Sequence, residues 1–312
     1  MKNIINIKVL LVCGAMLAGL WANAAQAGAK GSFERTLSVD EAILLDVSTG
    51  SGSIAIKSGD VGTVTVVGHI KVGSAWSSRS AAEAEELVAQ FEANPPVELE
   101  NGRLSVGHIK DRAYRKNVSI SYEIVVPANT EVKSDTGSGS QEVSGIAAPV
   151  NADTGSGSIT LTDIGGPVTA NTGSGRIKAE RVAGAFEAHT GSGSITMSQV
   201  SPGDVEATTG SGSIDLQGIT GSLRAKAGSG RVVVQGAQTG DWRINTGSGS
   251  VKIDLPDDAA FRLDAESSSG GITVDHPVTV QGKISKRHLR GDVRGGGNEL
   301  YIDTGSGSIK VL

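Results

Sequence analysis

Three Asp-Thr-Gly triplets, which begin at Asp135, Asp153 and Asp303, match the signature of aspartic proteases. That chemistry needs two carboxylates about 3 Å apart that share one proton. In other copies of the same motif the residue before the Thr is Asn, His, Thr or Lys, as in a column of side chains that faces solvent. We therefore expect no protease, and we interpret Asp135 and Asp153 as two solvated carboxylates rather than as a weak cation site.

Two basic segments, residues 103–116 and 283–294, stand out in a chain with a formal net charge of −5. Clustered Lys and Arg side chains attract anions, so we predict contacts with an anionic partner such as an envelope polysaccharide, a lipid headgroup or an acidic protein. The alternative is a solubilising cap. Residues 290–292 also spell Arg-Gly-Asp, a tripeptide too short to indicate adhesion by itself. The candidate contacts are Arg103, Lys110, Arg112, Arg115, Lys116, Lys283, Lys286, Arg287, Arg290 and Arg294.

The alternative function is that of an enzyme acting on envelope polysaccharides, either a lyase or a hydrolase. Such enzymes need clustered acids together with aromatic platforms for sugar rings, but aromatic residues make up only 3% of this chain. Opposite charges such as Glu206 and Arg224 are more simply explained as cross-strand pairs. The residues that follow the glycine turns are mostly Thr and Lys, not the regular Asp of calcium-binding repeats. We expect no catalytic residue, no metal site and no cofactor.

The first 27 residues have the pattern of a secretory signal peptide. Lys2 and Lys8 precede an apolar run over residues 9–20, and Ala25-Gln26-Ala27 forms a site for cleavage after Ala27. Cys13, the only cysteine, lies in this leader, and the Val before it does not fit a lipoprotein signal. We expect an exported protein, located in the periplasm, at the cell surface or secreted, with no transmembrane span and no disulfide.

Composition narrows the function classes further. Glycine accounts for 44 of the 312 residues, about twice its usual share. The acidic charge and the scarcity of aromatic side chains argue against nucleic-acid binding, which needs a basic groove and stacking platforms. With 38% hydrophobic residues, the chain can still bury a core, and that core must consist mainly of Val, Ile, Leu and Ala.

A repeated Thr-Gly-Ser-Gly motif organises most of the chain. From Thr136 to Thr246 its copies follow one another at steps of 18 or 19 residues, and a fixed period of this kind predicts a solenoid. Apolar or small residues stand four and two positions before each Thr, and apolar residues return after the turn, so each coil has two strands. Glycine lets one turn stack directly on the next. The copies begin at Thr49, Thr136, Thr154, Thr172, Thr190, Thr209, Thr246 and Thr304, with weaker ones at Ala227 and Ser267.

The period fails between residues 59 and 127, where residues 80–92 form the one good helix of the mature chain. This helix is rich in Ala, Glu and Leu, with a small apolar stripe of Leu87, Val88 and Phe91. Strand-like runs flank it on both sides. We interpret the region as a cap that covers the first coil and blocks edge pairing, the alternative being a separate binding module.

These patterns divide the chain into three parts. We predict a signal peptide at 1–27, an N-terminal solenoid start and cap at 28–131, and β-solenoid repeats at 132–312. The fold is expected to be all-β, a parallel β-solenoid (β-helix) with about 18-residue coils and one short N-terminal helix. The last strand has no obvious cap, which would permit self-association through the C-terminal coil.

Four segments resemble a bacterial adhesin-like, β-strand-repeat family of unknown function. They are residues 46–56, the acidic helix, Tyr-Glu-Ile-Val-Val-Pro at 122–127 and the ending at 294–311. The resemblance extends over most of the mature chain and implies a right-handed parallel β-solenoid and an exported location. It implies no catalytic residues. Many relatives have T-x-N-G-x-I where this chain has Thr-Gly-Ser-Gly-Ser-Ile, a difference that changes the turn more than the fold. Together these features favour a non-enzymatic protein that presents a repetitive surface for adhesion or envelope interaction.

Overall fold

The computed structural model describes residues 29–39, 42–73, 81–109, 111, 114, 117–280 and 285–312. Within these residues the fold is all-β with one helix, which confirms the predicted class. The expected signal peptide lies outside the described residues, and five of the basic candidates do so as well: Lys110, Arg112, Arg115, Lys116 and Lys283.

The strands that end at the Thr of each motif stack beside one another, and we call this sheet the first column. Val150 pairs in parallel with Val132 on one side and with Val168 on the other, so these neighbouring strands are offset by 18 residues. In stacking order the first column consists of β2 (Leu44–Thr49), β8 (Glu131–Thr136), β10 (Val150–Thr154), β12 (Val168–Thr172), β14 (Phe186–Thr190), β16 (Val205–Thr209), the last parts of β17 (Ile214–Ala227) and β18 (Val232–Thr246), β24 (Asn298–Thr304) and β20 (Phe261–Ser267).

The strands that follow each Gly-Ser-Gly turn form the second column, which is also paired in parallel. Ile159 pairs with Gln141 and with Ile177. Gln141 is buried in a position that other coils fill with Ile or Val, and it bonds to the Ser134 hydroxyl. In stacking order the second column consists of β3 (Ile54–Gly59), β9 (Gln141–Ser144), β11 (Ile159–Ile164), β13 (Ile177–Ala183), β15 (Ile195–Ser201), the first parts of β17 and β18, β19 (Val251–Asp254), β25 (Ile309–Val311) and β21 (Ile272–Val274).

The core lies between the columns and is mainly aliphatic. The positions four and two residues before each Thr are buried as predicted; Val150 and Ala152, for example, are 2% and 0% exposed. Trp242 takes the place of a Val in its coil and is fully buried. A further line of buried residues closes the second corner of the coils and consists of Ile146, Ile164, Val182 and Ile219.

The Thr of each motif is also buried, and its hydroxyl links neighbouring turns. Thr172 Oγ1 donates a hydrogen bond to the carbonyl of Gly157 in the preceding coil (2.9 Å) and accepts one from the amide of Gly175 in its own turn (3.0 Å). Ala227 interrupts this ladder because it has no hydroxyl. The same pair of bonds recurs at Thr136, Thr154, Thr190 and Thr209.

The second glycine of each turn is required by the close approach of the coils. A Cβ atom added to Gly175 would overlap the carbonyl oxygen of Gly157, and the same overlap recurs from turn to turn along the stack. A side chain at this place would force two coils apart. The predicted role of the glycines as stacking points is therefore confirmed.

Antiparallel strands and the helix cover the N-terminal end of the stack. On the second column, β3 pairs with β7 (Val118–Pro127), and β7 pairs antiparallel with β4 (Thr63–Val72). β4 pairs antiparallel with β1 (Lys30–Ser38). On the first column, β2 pairs with β6 (Arg103–Val106), which forms a hairpin with β5 (Val97–Glu100). Helix α1 (Ala81–Ala93) packs against β1 and β4 and buries its predicted apolar stripe.

The C-terminal end differs from the sequence-based expectation. β24 lies between β18 and β20, and β25 lies between β19 and β21, so the last repeat of the sequence is an interior coil. β20 is covered in turn by the antiparallel strand β23 (His288–Val293), which pairs with β22 (Val278–Thr279). The expectation that the last coil is uncapped is therefore wrong, because both edges of β24 and β25 are already paired. Self-association itself stays a prediction.

Candidate binding surfaces

The outward side chains of the first column form ladders along the stack, with neighbours about 4.8 Å apart. The minus-one ladder stands one residue before each Thr, and the minus-three ladder stands three residues before it. The minus-one ladder runs Ser48, Asp135, Asp153, Asn171, His189, Thr208, Lys226, Asn245, Asp303 and Glu266. The minus-three ladder runs Asp46, Lys133, Asn151, Thr169, Glu187, Glu206, Arg224, Arg243, Tyr301 and Asp264.

The first acid of the minus-three ladder is held by the N-terminal cap. The Asp46 side chain is only 7% exposed and forms an ion pair with Arg103, and His108 Nε2 lies 3.3 Å from Asp46 Oδ1. Pairing of β2 with β6 brings these groups together. Arg103, predicted as a contact for an external anion, is thus paired with an acid of the protein itself, while its side chain is still 52% exposed.

The last acid of the same ladder is held in the same way by β23. His288 Nε2 lies 3.1 Å from Asp264 Oδ1, and Arg290 Nε lies 3.9 Å from Asp264 Oδ2. Arg294 donates two hydrogen bonds to the backbone carbonyl of Asp257, at 3.1 and 2.7 Å. Two further basic candidates have exposed side chains, Lys286 and Arg287.

The Arg-Gly-Asp tripeptide lies within β23, an extended strand paired to β20. Its Arg290 lies near Asp264, and its Asp292 accepts a hydrogen bond from Arg262 Nε at 3.4 Å. Both charges of the tripeptide therefore have intramolecular partners.

The described parts of the two basic segments lie at opposite ends of the stack. Eleven strand intervals separate β6 from β23 along the first column, which amounts to roughly 53 Å at about 4.8 Å per interval. One compact anion could not contact both Arg103 and Arg290. They form two separate caps, each attached to an acidic residue of the minus-three ladder.

Asp135 and Asp153 are neighbours on the minus-one ladder, as the motif spacing predicts. Asn171 Nδ2 donates a hydrogen bond to Asp153 Oδ1 at 2.8 Å. Partial burial and, next, the Asp153 carboxylate raise the pKa of Asp135. Among the described residues, no group of three or more His, Cys, Asp or Glu side chains is arranged to hold a metal ion.

A trough of about 570 Å³ runs across the first column from Pro167 to Glu299. On the minus-three ladder its charged lining is Glu187 and Glu206 followed by Arg224 and Arg243, and Asp204, Asp241 and Glu299 add three further carboxylates. Arg243 lies 3.6 Å from Glu299 Oε2 and 5.4 Å above the centre of the Tyr301 ring. The trough is thus acidic at one half of this ladder and basic at the other.

The remaining polar groups of the trough serve the fold. Asp204 accepts a hydrogen bond from the Ser222 amide (3.1 Å), and Asp241 accepts one from the Glu299 amide (2.8 Å). The Trp242 ring is fully buried and donates from Nε1 to a backbone carbonyl. Trp242 therefore offers no platform for a sugar ring.

A smaller crevice of about 250 Å³ lies between the N-terminal cap and the first coils. Tyr122 lines it, is 1% exposed, and packs edge-to-face on Phe33 at 6.4 Å. Its hydroxyl has no hydrogen-bond partner among the described residues. Burial raises the pKa of this phenol well above its usual value.

The sequence did not predict that the basic segments would form ion pairs with acids of the minus-three ladder. The basic segments were predicted from surplus charge, and nothing in their local sequence indicated that Asp46 and Asp264 would pair with them. Their shared place in the repeat, three residues before Thr49 and Ser267, was the available signal.

In the part of the chain that the structure describes, no helix is long and apolar enough to cross a membrane.

Three solved structures illustrate what this chain is similar to. A candidate adhesin from Bacteroides fragilis is 11% identical, with a TM-score of 0.38 over 92% of this chain and 100% of that chain. A candidate cell adhesion protein from Clostridium sporogenes is 12% identical, with a TM-score of 0.24 over 90% and 99%. A candidate lipid-binding protein from Parabacteroides distasonis is 13% identical, with a TM-score of 0.35 over 90% and 96%.

Among curated proteins, none has significant sequence similarity to this chain. The profile of the Toastrack DUF4097 family, in contrast, matches residues 92–312, which is well over half of the chain. The matched region contains the stacked coils from β8 onward and both basic segments. The chain therefore belongs to the Toastrack DUF4097 family.

Proposed function

We propose that this protein is an exported, non-enzymatic β-solenoid that presents the outward ladders of its coils for adhesion or envelope interaction. The observation that carries the proposal is the contrast between the two sides of each strand. Inward residues form a solid aliphatic core, whereas outward residues form long, regular rows of polar groups. Such a surface suits a large repetitive partner better than a small ligand.

The proposal also includes the handedness and the coil length of the solenoid. We infer a right-handed parallel β-solenoid with about 18-residue coils. The parallel pairing and the coil length are supported by the offsets of 18 residues between Val132, Val150 and Val168, and the handedness rests on the family resemblance. The coil length is also supported by the matched offsets of the second column, as between Gln141 and Ile159.

Export and cleavage after Ala27 rest on the sequence of the leader. A positively charged start, a short apolar run and the Ala25-Gln26-Ala27 site are together typical of a secretory signal. We place the mature protein in the periplasm, at the cell surface or outside the cell.

A role without catalysis is supported by the way the acids of the trough are used. Hydrolysis of a glycosidic bond generally needs two suitably placed carboxyl groups. Asp204 and Asp241 hold backbone amides, and Glu187 lies 2.9 Å from His189 Nε2. Glu299 pairs with Arg243, so Glu206 is the one carboxylate of the trough without a partner among the described residues.

Contact with an anionic partner remains a proposal for the basic segments. Lys286 and Arg287 are exposed beside the C-terminal cap, and Arg103, Arg290 and Arg294 are engaged in the fold. Of the described basic candidates, Lys286 and Arg287 are thus the two best placed for an external polysaccharide, lipid headgroup or acidic protein.

The test is co-sedimentation of the purified mature chain with isolated cell envelopes, and separately with purified envelope polysaccharide. We expect binding that leaves the polymer length unchanged, and weaker binding in the variant Lys286→Ala/Arg287→Ala and at higher salt. Absence of binding to any envelope fraction would contradict the proposal. Shortening of the polymer by the wild type, abolished by Glu206→Gln, would instead establish the enzyme.

A further inference from the structure

The minus-three ladder carries an ordered charge pattern at its centre. Glu187, Glu206, Arg224 and Arg243 stand on four successive strands, because β14 pairs with β16, β16 with β17, and β17 with β18. The sequence of charges along the stack is thus negative, negative, positive, positive. If a second copy of this row is placed opposite the first in the reverse direction, each negative charge faces a positive one.

The two central charges are available. Glu206 and Arg224 are cross-strand neighbours, but neither belongs to any of the ion pairs within 4 Å that the described residues form. Neither side chain accepts or donates a hydrogen bond to another described residue. Both side chains face the trough, which is open to solvent.

We propose that this face binds a second copy of the chain through a two-fold axis parallel to the strands, placed between β16 and the last part of β17. Rotation about that axis reverses the order of the coils and keeps each ladder opposite itself. Glu206 then faces Arg224 of the second copy, and Glu187 faces Arg243 of the second copy. Each pairing occurs twice, so four pairs of opposite charges form across the interface.

The neighbouring ladder is compatible with this arrangement. On the minus-one ladder, Thr208 faces Lys226 of the second copy, and His189 faces Asn245 of the second copy. No two like charges oppose one another at these four central strands, and like-charge contacts are the usual reason for a face to be rejected. The pattern therefore selects this antiparallel arrangement of coils over a parallel one, which would place Glu206 against Glu206.

The size of the face makes the contact weak and reversible. The trough extends over six strands and is lined by at most three residues of each, which is roughly 29 Å by 10 Å or about 290 Å² per copy. Stable complexes generally bury about 800 Å² per partner. We therefore expect association at high protein concentration and low salt, where exposed charge pairs are least screened.

This contact differs from the end-to-end association that the sequence suggested. End-to-end contact would have used β24 and β25, which are interior strands of the stack, whereas the proposed interface uses the side of the coils. It is also independent of the proposed function, because it can be measured without an envelope partner. If the protein does not bind envelopes, the self-association proposal is unaffected. If it does not self-associate, the envelope-binding proposal is unaffected.

The test is sedimentation equilibrium of the mature chain at about 0.02 M and about 1 M salt. We expect a weight-average mass that rises toward the dimer at low salt only. Glu206→Arg and Arg224→Glu should each weaken association by about tenfold or more, because each places like charges opposite one another. The double variant Glu206→Arg/Arg224→Glu restores opposite charges and should recover association.

Matched controls change the same net charge elsewhere. Glu142→Arg and Lys252→Glu lie on the second column, away from the trough, and should leave association unchanged. Circular dichroism and thermal unfolding establish that every variant is folded. A wild type that stays monomeric at the highest soluble concentration would overturn the proposal, and so would a folded double variant that does not recover.

Discussion

His108 Nε2 lies 3.3 Å from Asp46 Oδ1, and this contact holds the N-terminal hairpin on the first coil. The other end of the stack repeats the arrangement, with His288 Nε2 3.1 Å from Asp264 Oδ1. In both places an acid of the minus-three ladder meets a His and an Arg from the capping segment. The two basic segments therefore share one structural task, which is to fasten the covers of a stack whose strand edges would otherwise be exposed.

Replacing Asp46 with Ala should loosen the N-terminal cap. Removal of this buried acceptor leaves Arg103 and His108 without their partner, which we expect to cost about 1–3 kcal/mol of unfolding free energy. Hydrogen exchange should speed up in residues 97–106 and remain slow at the far end. Asp264→Ala is the matched variant and should loosen residues 288–293 instead. If residues 97–106 and 288–293 were equally protected from exchange in both variants, the two acids would not hold the caps.

Gly175→Ala should destabilise the fold strongly, by about 3 kcal/mol or more, because the new methyl group overlaps the Gly157 carbonyl. Gly271→Ala provides the control, since a Cβ atom at Gly271 meets nothing within 4 Å. Its effect should stay within about 0.5 kcal/mol. Urea unfolding of the two variants measures the difference, and similar midpoints would show that the close approach of the turns is not required.

The Thr172 hydroxyl should matter more than its methyl group. Thr172→Val keeps the shape of the side chain but leaves the Gly157 carbonyl and the Gly175 amide without this partner. We expect a loss of about 1–3 kcal/mol. Thr172→Ser keeps the hydroxyl and should lose only about 1 kcal/mol. The reverse order of stability in thermal unfolding would mean that the hydroxyl ladder contributes little.

Ala227→Thr should stabilise the protein by completing that ladder. The coil of Ala227 has the same Gly-Ser-Gly turn as its neighbours, so a Thr hydroxyl there can donate to the Gly212 carbonyl and accept from the Gly230 amide. We expect a gain of about 0.5–1.5 kcal/mol, the usual net contribution of a hydrogen bond. Ala227→Val, which adds bulk without a hydroxyl, should give no such gain. A rise in melting temperature for both variants alike would assign the effect to packing.

Tyr122 should make the stability fall at high pH. Burial raises the folded-state pKa of its phenol, so above about pH 10 the unfolded chain loses this proton before the folded one. The unfolded state then binds fewer protons, and the unfolding free energy falls by up to about 1.4 kcal/mol per pH unit. Below about pH 10 the phenol is neutral in both states and has no such effect.

Tyr122→Phe isolates this contribution. Since the hydroxyl has no hydrogen-bond partner among the described residues, the variant should be at least as stable as the wild type near neutral pH. Urea unfolding from pH 8 to 11.5, at about half-unit steps, should give a flatter curve for the variant above about pH 10. Parallel curves would mean that the Tyr122 phenol ionises as readily in the folded chain as in the unfolded one.

Periodicity predicted the repeated part of the fold well. The apolar positions around Val150 and Ala152 are buried, and helix Ala81–Ala93 matches the expected segment within about one residue. The buried role of Thr172 was missed, because a Thr next to glycines is equally typical of an exposed turn. The order of the last strands was missed for a different reason. Sequential repeats usually lie side by side, and only the three-dimensional pairing shows residues 298–311 inserted between strands that precede them in sequence.

That insertion sets an order of events during synthesis. When residues 261–274 emerge, their final neighbours on the stack have not yet been made, so a place one strand wide must stay open beside β18 and β19. It can be filled only after residues 298–311 appear. A chain that is still being synthesised therefore cannot complete this end of the stack early. The late arrival of one segment keeps the end unfinished until nearly the whole repeat region has been delivered.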